Sequence, residues 1–458
     1  MFNPKNYHIH FIGIGGIGMS AIAEILIHQG YSVSGSDIQS TALTQKLSQA
    51  GAIIYNTQAS ENIKHVNAVV YSSAIQADNC ERIEAQKKQI PVIHRSEMLA
   101  EIMRSRFSIA VTGSHGKTTT TGIIGEILHR AQMNPTIVVG GIMKALSTNA
   151  QSGAGDYIVV EADESDGSLL NLYPSIAVIT NIDQEHMDHY GSMEKIHQTF
   201  LTFANRSPFY GATVLCMDDP VLRSFVKKID KKCVTYGIDH SADFMAENIE
   251  HAGPFQISFD LVHKNKFVDR IVLHMTGQHN VLNALASIAT CSIIDIPWPT
   301  QKNTLGLIEG VQRRMDIRGQ CQQVLVMDDY GHHPTEIIAT LKAIKNSWPD
   351  YHLCVMFQPH RYSRTKDLYE QFTHAFYQAD QLIILPIYSA GEPPEDTVSS
   401  ELLTRDIQQN MPNRAVYVKS FDDAIQLVDK DRKTLLLTLG AGDIRKAGEL
   451  FLLVNEAS

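Results

Sequence analysis

The run Ile109-Ala-Val-Thr-Gly-Ser-His-Gly-Lys-Thr-Thr-Thr-Thr121 sets two glycines, a lysine and a row of hydroxyls side by side. At a turn from strand to helix this combination reads as a phosphate cradle. Backbone N–H groups across Gly113, Ser114, His115 and Gly116 point at one spot, the helix N-terminus adds positive potential, and Lys117 adds a full charge. The Thr118 hydroxyl, with Thr119 beside it, is placed to ligate the magnesium that accompanies a nucleotide. The usual phosphate loop has a glycine where this chain has Val111. The shorter Thr-Gly-x-x-Gly-Lys-Thr form keeps the turn and the lysine.

Other segments carry complementary chemistry. Gly13-x-Gly15-Gly16-x-Gly18 follows a strand pattern and opens a helix pattern, and Asp37 follows the next strand. This is the dinucleotide fingerprint, yet its physics asks only for a diphosphate at a helix N-terminus and a hydroxyl-rich sugar nearby. NAD and a UDP-sugar both satisfy that demand. Glu161-Ala-Asp163-Glu164-Ser-Asp166 ends an apolar strand, and Glu161 is the choice for a magnesium ligand beside the phosphate loop. In Thr180-Asn-Ile-Asp-Gln-Glu-His-Met-Asp-His-Tyr190, His186 is suited to a metal or to orienting a reacting acid, with Asp183, Glu185 and Asp188 as competitors. His279 and Asn280 open a helix where they can face a base or ribose, and Arg313-Arg314 is suited to clamping phosphate. Two late segments, Asp328-Asp-Tyr-Gly-His-His-Pro-Thr335 and Phe357-Gln-Pro-His-Arg-Tyr-Ser-Arg-Thr365, also follow strands. The second offers His360, Arg361 and Arg364 to a carboxylate or phosphate.

The elements that must position these groups alternate between strand and helix almost from end to end, which predicts an α/β fold of parallel sheets covered by helices. With 458 residues the chain is too long for one compact core, and about three domains are expected. The expected boundaries are 1–105, 106–314 and 315–458, with a β-rich portion at roughly Ala212–His274 inside the second. A net charge of −10 without a long basic run argues against nucleic acid or an anionic membrane as partner. The six cysteines are scattered, with no C-x-x-C pair, which suits reduced thiols in the cytoplasm. Met1-Phe-Asn-Pro-Lys lacks a signal pattern, and no apolar run approaches the ~20 residues of a membrane span.

In order and along essentially the whole chain, these segments resemble the Mur ligases. The matching residues are 11–20, 113–120, 161–168, 181–191, 277–284, 328–336 and 357–365. The resemblance implies a Rossmann-like UDP-binding domain, a central ATPase domain of P-loop type, and a Rossmann-like C-terminal domain that brings the amino acid. It also implies a reaction: ATP phosphorylates the lactyl carboxylate of UDP-N-acetylmuramate, and the amine of L-alanine attacks the acyl phosphate. By motif, Lys117 resembles the phosphate-binding catalytic lysine, and Thr118, Glu161 and His186 resemble ligands of two magnesium ions. Asn280, Arg314 and Asp329 resemble the ATP contacts. Ser36, Asp37 and Ser72 resemble the uridine diphosphate side, and Tyr330, His360, Arg361 and Arg364 the amino-acid side. Gln278 and Ser114 stand where relatives carry arginine and threonine, and both are expected to tune ATP contacts. Several sister enzymes carry a carbamylated lysine about fifteen residues past His186, whereas Thr199–Phe203 has none. Three alternatives stay open: addition of a preformed L-Ala-γ-D-Glu-diaminopimelate tripeptide, an NAD-dependent oxidoreductase, and a non-catalytic UDP-sugar sensor.

Overall fold

The computed structural model describes residues 7–143, 148–308 and 310–456. Among them the strands form three sheets, and the expected α/β class holds. The first sheet is fully parallel, in the order Ile53–Tyr55, Ser32–Ser36, His8–Ile12, Ala68–Tyr71, Val92–His94. The chain leaves its central strand His8–Ile12 first to one side and later to the other. The crevice beyond that strand is therefore a topological switch point, where α/β sheets bind ligands. Gly13, Asp37 and Ser72 all follow strands that end there.

The second sheet has ten strands, and its heart is the parallel trio Tyr157–Glu161, Phe107–Thr112 and Ile176–Ile179. These strands are apolar along almost their whole length because helices or loops cover both faces. Their three following loops carry Glu161–Asp166, the phosphate loop and Thr180–His186 to one edge. The β-rich portion continues this sheet, with Phe244–Gly253, Gln256–His263 and Lys266–Leu273 as an antiparallel meander at its far side.

The third sheet runs Asp316–Cys321, Val324–Asp329, Thr434–Leu439, His352–Phe357, Gln381–Ile384, Ala415–Tyr417, and only the first strand is antiparallel. Strand alternation divides its core into two. Met327, Val355, Phe357, Leu435 and Leu437 pack on one face, and Val326, Cys354, Met356 and Leu436 on the other. The first two sheets share one continuous apolar cluster, which contains both Ile25 and Ile109. The helix Ile17–His28 lies between them, against Thr136–Met143 and Thr148–Gln151.

Candidate active site

The phosphate loop is shaped by the loop beside it. Ser114 N–H donates to the Asn181 carbonyl (3.0 Å) and His115 N–H to Asn181 Oδ1 (2.8 Å). The Thr180 hydroxyl returns a hydrogen bond to the His115 carbonyl (2.6 Å). Two loop amides expected to face phosphate are thus engaged by Asn181, which leaves the first-turn amides of the helix Lys117–Arg130 as the donors. Gly113 has φ +130°, and a Cβ there would lie 2.9 Å from the Asn181 backbone and collide with the Thr180 hydroxyl. Only glycine allows this approach.

Lys117 sits at the centre of the acidic loops. Its Nζ donates to Glu164 Oε1 (2.7 Å) and to the carbonyls of Gly113 (2.5 Å) and Ser114 (3.0 Å). Burial opposes its charge, but Glu164 and Glu185 outweigh that effect and hold its pKa above the usual lysine value. The Thr118 hydroxyl donates to Glu161 Oε1 (2.9 Å), and Glu161 Oε2 accepts from Gly140 N–H (2.6 Å). Burial raises the Glu161 pKa even though Lys117 pulls the other way. On the opposite side of Lys117, His186 Nε2 lies 3.6 Å from Glu164 Oε1 and 3.8 Å from Glu185 Oε2. The donor atoms of Glu164, Glu185 and His186 all lie within 4.8 Å of one another. Glu164 Oε2 is buried with no hydrogen-bond partner among the described residues. A buried carboxylate oxygen left so is what a divalent cation would neutralise, so this donor set fits a hard metal ion.

The four acids of 161–166 therefore divide their work. Glu161 and Glu164 flank Lys117, whereas Asp163 and Asp166 reach the N-terminal domain. Asp163 accepts from Arg95 Nη2 (2.6 Å), and Asp166 accepts from the Ser73 hydroxyl and lies 3.7 Å from His94 Nε2. The sequence singles out Glu161 at the strand end but does not separate Asp163, Glu164 and Asp166, which crowd one short loop. Glu164 is the residue that sequence reasoning passes over.

A cavity of about 650 Å³ opens beside the loop, between the central and C-terminal domains. His115, Gly116 and Thr119 line it from the phosphate loop, Asn280 from the helix Gln278–Ile293, and Arg314 and Asp329 from the domain junction. The volume suits a ligand of nucleotide size. Asn280 accepts from Asn283 (3.2 Å) and donates to the Thr276 carbonyl (2.8 Å), so its side chain is fixed at the cavity wall. Asp329 accepts from Met315 N–H and Gly331 N–H (2.8 Å each), and burial raises its pKa to about 6. Of the arginine pair, only Arg314 faces the cavity, paired with Glu336 (3.2 Å). Arg313 turns instead to Asp328 and the Gly440 carbonyl. Ser114 Oγ accepts from Asp183 N–H (2.8 Å), and Gln278 is exposed at its helix start.

Next to His186 the C-terminal domain contributes a compact group. Glu185 and His186 share a small cleft with Arg361, Ser363 and Arg364. His360 stacks on Tyr388 and lies 3.1 Å from Arg364 Nη1. Burial, then Arg364, drives its pKa down to about 3, so the imidazole is neutral near pH 7. Arg361 Nε is buried without a hydrogen-bond partner among the described residues, which suits an incoming carboxylate. Tyr330 lies under Arg313 and Arg314 and edge-on to His332.

In the N-terminal domain, Gly16 caps the helix Ile17–His28, and Gly15 N–H donates to Asp37 Oδ2 (2.8 Å). A Cβ on Gly15 would meet that carboxylate at 2.8 Å. Gly18 faces Arg95, whose Nη1 would lie 3.0 Å from an added Cβ. Ser72 is half-buried at the turn after Ala68–Tyr71. Ser36 differs from the rest: its hydroxyl points inward and donates to buried Glu81 (2.6 Å), while its carbonyl accepts from Gly13 and Ile14 N–H.

In comparisons with known proteins, residues 8–107 match the Mur ligase family catalytic domain, 111–291 the Mur ligase middle domain and 313–442 the Mur ligase glutamate ligase domain. The UDP-N-acetylmuramate–L-alanine ligase of Desulforapulum autotrophicum is 47% identical over 450 residues, which cover 98% of both chains. The enzyme of the same name from a Geobacter species is 46% identical, covering 99% of both. Among solved structures, UDP-N-acetylmuramate–alanine ligase from Thermotoga maritima superposes with a TM-score of 0.84 at 28% identity, covering 98% of this chain and 99% of that one. A murein peptide ligase from Psychrobacter arcticus shares the fold, with a TM-score of 0.69 at 24% identity and 98% coverage of each chain.

Proposed function

This chain belongs to the Mur ligase family, and we propose that it joins L-alanine to UDP-N-acetylmuramate, converting ATP to ADP and phosphate through an acyl phosphate. The carrying observation is near-full-length identity of 46–47% to relatives that bear this name. The same likeness favours L-alanine over the preformed tripeptide. The domains are taken as 1–105 for the UDP-sugar, 106–314 for ATP and 315–458 for the amino acid, with the reaction in the cytoplasm.

A carboxylate resists attack by an amine, and phosphorylation gives it a leaving group. Nearly all the catalysis is then positioning and charge stabilisation. ATP lies in the 650 Å³ cavity, with its base side toward Asn280, its ribose toward Asp329, and Arg314 beside its phosphates. The γ-phosphate reaches the helix start at Lys117, which leaves Glu164 to face it. Thr118 and Glu161 would hold one magnesium ion and His186 with Glu164 and Glu185 a second, and such ions would supply charge neutralisation for the transferring phosphoryl group. The diphosphate of UDP-N-acetylmuramate lies on Gly13–Gly18, with Asp37 and Ser72 on the uridine side and Ser36 supporting the loop from below. Arg361 and Arg364 hold the alanine carboxylate. Burial, and after it the charge of Arg364 and Arg361, keeps His360 neutral, and the same surroundings favour the free amine over the ammonium.

The test is phosphate release from ATP with UDP-N-acetylmuramate and, separately, L-alanine, glycine, L-serine or the tripeptide. Stimulation by L-alanine with an amide product of matching mass supports the reading; stimulation by the tripeptide alone overturns it.

A further inference from the structure

Apart from the Lys117 site, the described residues bring a second set of metal-type donors together. His115 comes from the phosphate loop, Asp183 from the loop after Ile176–Ile179, and His333 from the C-terminal domain; their donor atoms all lie within 4.8 Å of one another. His115 Nε2 lies 3.1 Å and His333 Nδ1 3.5 Å from Asp183 Oδ2. Donors at about 2.0–2.1 Å from a tetrahedral zinc ion stand roughly 3.4 Å apart, so each imidazole nitrogen already stands near corner spacing from Asp183 Oδ2.

A second observation concerns the far nitrogen of each ring. His333 Nε2 donates to the Gln184 carbonyl (3.3 Å), while its Nδ1 accepts from Thr335 N–H (3.3 Å), so the lone pair sits on Nδ1, facing Asp183. His115 Nδ1 lies 3.4 Å from Glu336 Oε1, which leaves Nε2 toward Asp183. Imidazoles that ligate metals are oriented in this way, by a carboxylate or carbonyl on the remote nitrogen. His333 is fully buried, and the His115 and Asp183 side chains are 14% and 29% exposed, so an ion can enter.

We propose that His115, Asp183 and His333 form a site for a Zn²⁺-class ion that bridges the central and C-terminal domains. Two imidazoles and one carboxylate favour zinc over magnesium, which separates this site from the carboxylate-rich set around His186. Binding displaces the Nε2 proton of His115 and the Thr335 N–H hydrogen bond to His333. Because His115 also lines the nucleotide cavity, an ion held on its Nε2 occupies space that the ATP phosphates need, so zinc competes with ATP although both ligands favour the docked domains.

The experiment incubates the full-length, nucleotide-free protein with Zn²⁺ in a large excess of Mg²⁺, desalts it and counts bound zinc. Wild type is expected to retain about one zinc per chain, His186→Ala to retain it, and His333→Asn to lose it. Asparagine preserves the cap of the helix Pro334–Ser347. Zinc inhibition of ATP turnover, competitive with ATP, is expected to disappear in His333→Asn as well. If His333→Asn melts well below wild type, the zinc count of His115→Gln decides instead. Wild type that keeps no zinc against Mg²⁺, loss of zinc in His186→Ala, or full retention in the folded His333 or His115 variant overturns the proposal.

Discussion

At the scale of single residues, the site is organised by one cation among carboxylates. Lys117 pairs with Glu164, and Glu185 and Glu161 lie close enough to help hold its positive charge. Lys117→Ala is expected to lower kcat by at least ~10²–10³-fold, the usual loss when one preorganised electrostatic contact is removed. Calorimetric affinity for UDP-N-acetylmuramate is expected to stay within a few-fold of wild type, since its proposed site lies on another domain. Loss of both together means that the now unpaired, buried Glu164 has unfolded the centre. The carboxylate pair beside His186 bears on the missing lysine at Thr199–Phe203. Glu164 and Glu185 already supply two oxygens, so a carbamate is not needed. Acidifying the enzyme to remove carbon dioxide, then restoring neutral pH, is expected to leave activity independent of added bicarbonate. Rescue by bicarbonate sinks this reading.

At the scale of elements, much of the site is legible because strand ends gather it. The apolar runs Tyr157–Glu161, Phe107–Thr112 and Ile176–Ile179 announce parallel strands, and adjacent parallel strands deliver the loops that follow them to one edge. Which further carboxylate faces Lys117 is not legible, since Asp163, Glu164 and Asp166 differ only in where the loop bends. Glu81 is equally hidden: it lies in the first turn of the short helix Cys80–Lys87, where an acid is expected to face solvent, yet is fully buried. It accepts from the Ser36 hydroxyl (2.6 Å) and Asn62 Nδ2 (2.7 Å), with His10 Nε2 at 3.5 Å. Through Ser36 it underpins Gly13 and Ile14. Glu81→Gln is expected to cost about 1–3 kcal/mol at pH 7 and to weaken UDP-N-acetylmuramate binding, because a buried acceptor is lost. Burial pushes the Glu81 pKa up, but hydrogen bonds to His10, Ser36 and Asn62 outweigh it and bring the value below 4.5. A carboxylate depressed on folding stabilises above its unfolded pKa and loses that contribution as pH falls through its folded pKa. The melting-temperature gap between wild type and Glu81→Gln is therefore expected to be full at pH 7 and to narrow below pH 4.5. A gap unchanged down to pH 3 removes the charge from the explanation.

At the scale of the whole molecule, the two junctions differ in kind. The N-terminal and central domains share a continuous apolar core, reinforced by Arg95 with Asp163 and by Asn149 Nδ2 donating to the Ile17 carbonyl (2.7 Å). The C-terminal domain instead meets the phosphate-loop side largely through polar contacts: Thr335 Oγ1 donates to Asp183 (2.6 Å), His333 to Gln184, and Glu336 lies near His115. Polar junctions with little shared core permit relative motion, whereas an apolar one resists it. The C-terminal domain is therefore the body expected to move, and the cavity it helps to wall is the proposed ATP site. Binding there adds contacts only the docked arrangement can make, so ligands shift the population toward it. A non-hydrolysable ATP analogue with UDP-N-acetylmuramate is expected to lower the radius of gyration in small-angle scattering. Thr335→Val, which removes the hydroxyl to Asp183 while keeping the shape, is expected to raise that radius without ligands and to approach the wild-type value with both bound. A radius unmoved by ligands in both proteins means that the domains are already fixed, and that ATP enters without any opening of this junction.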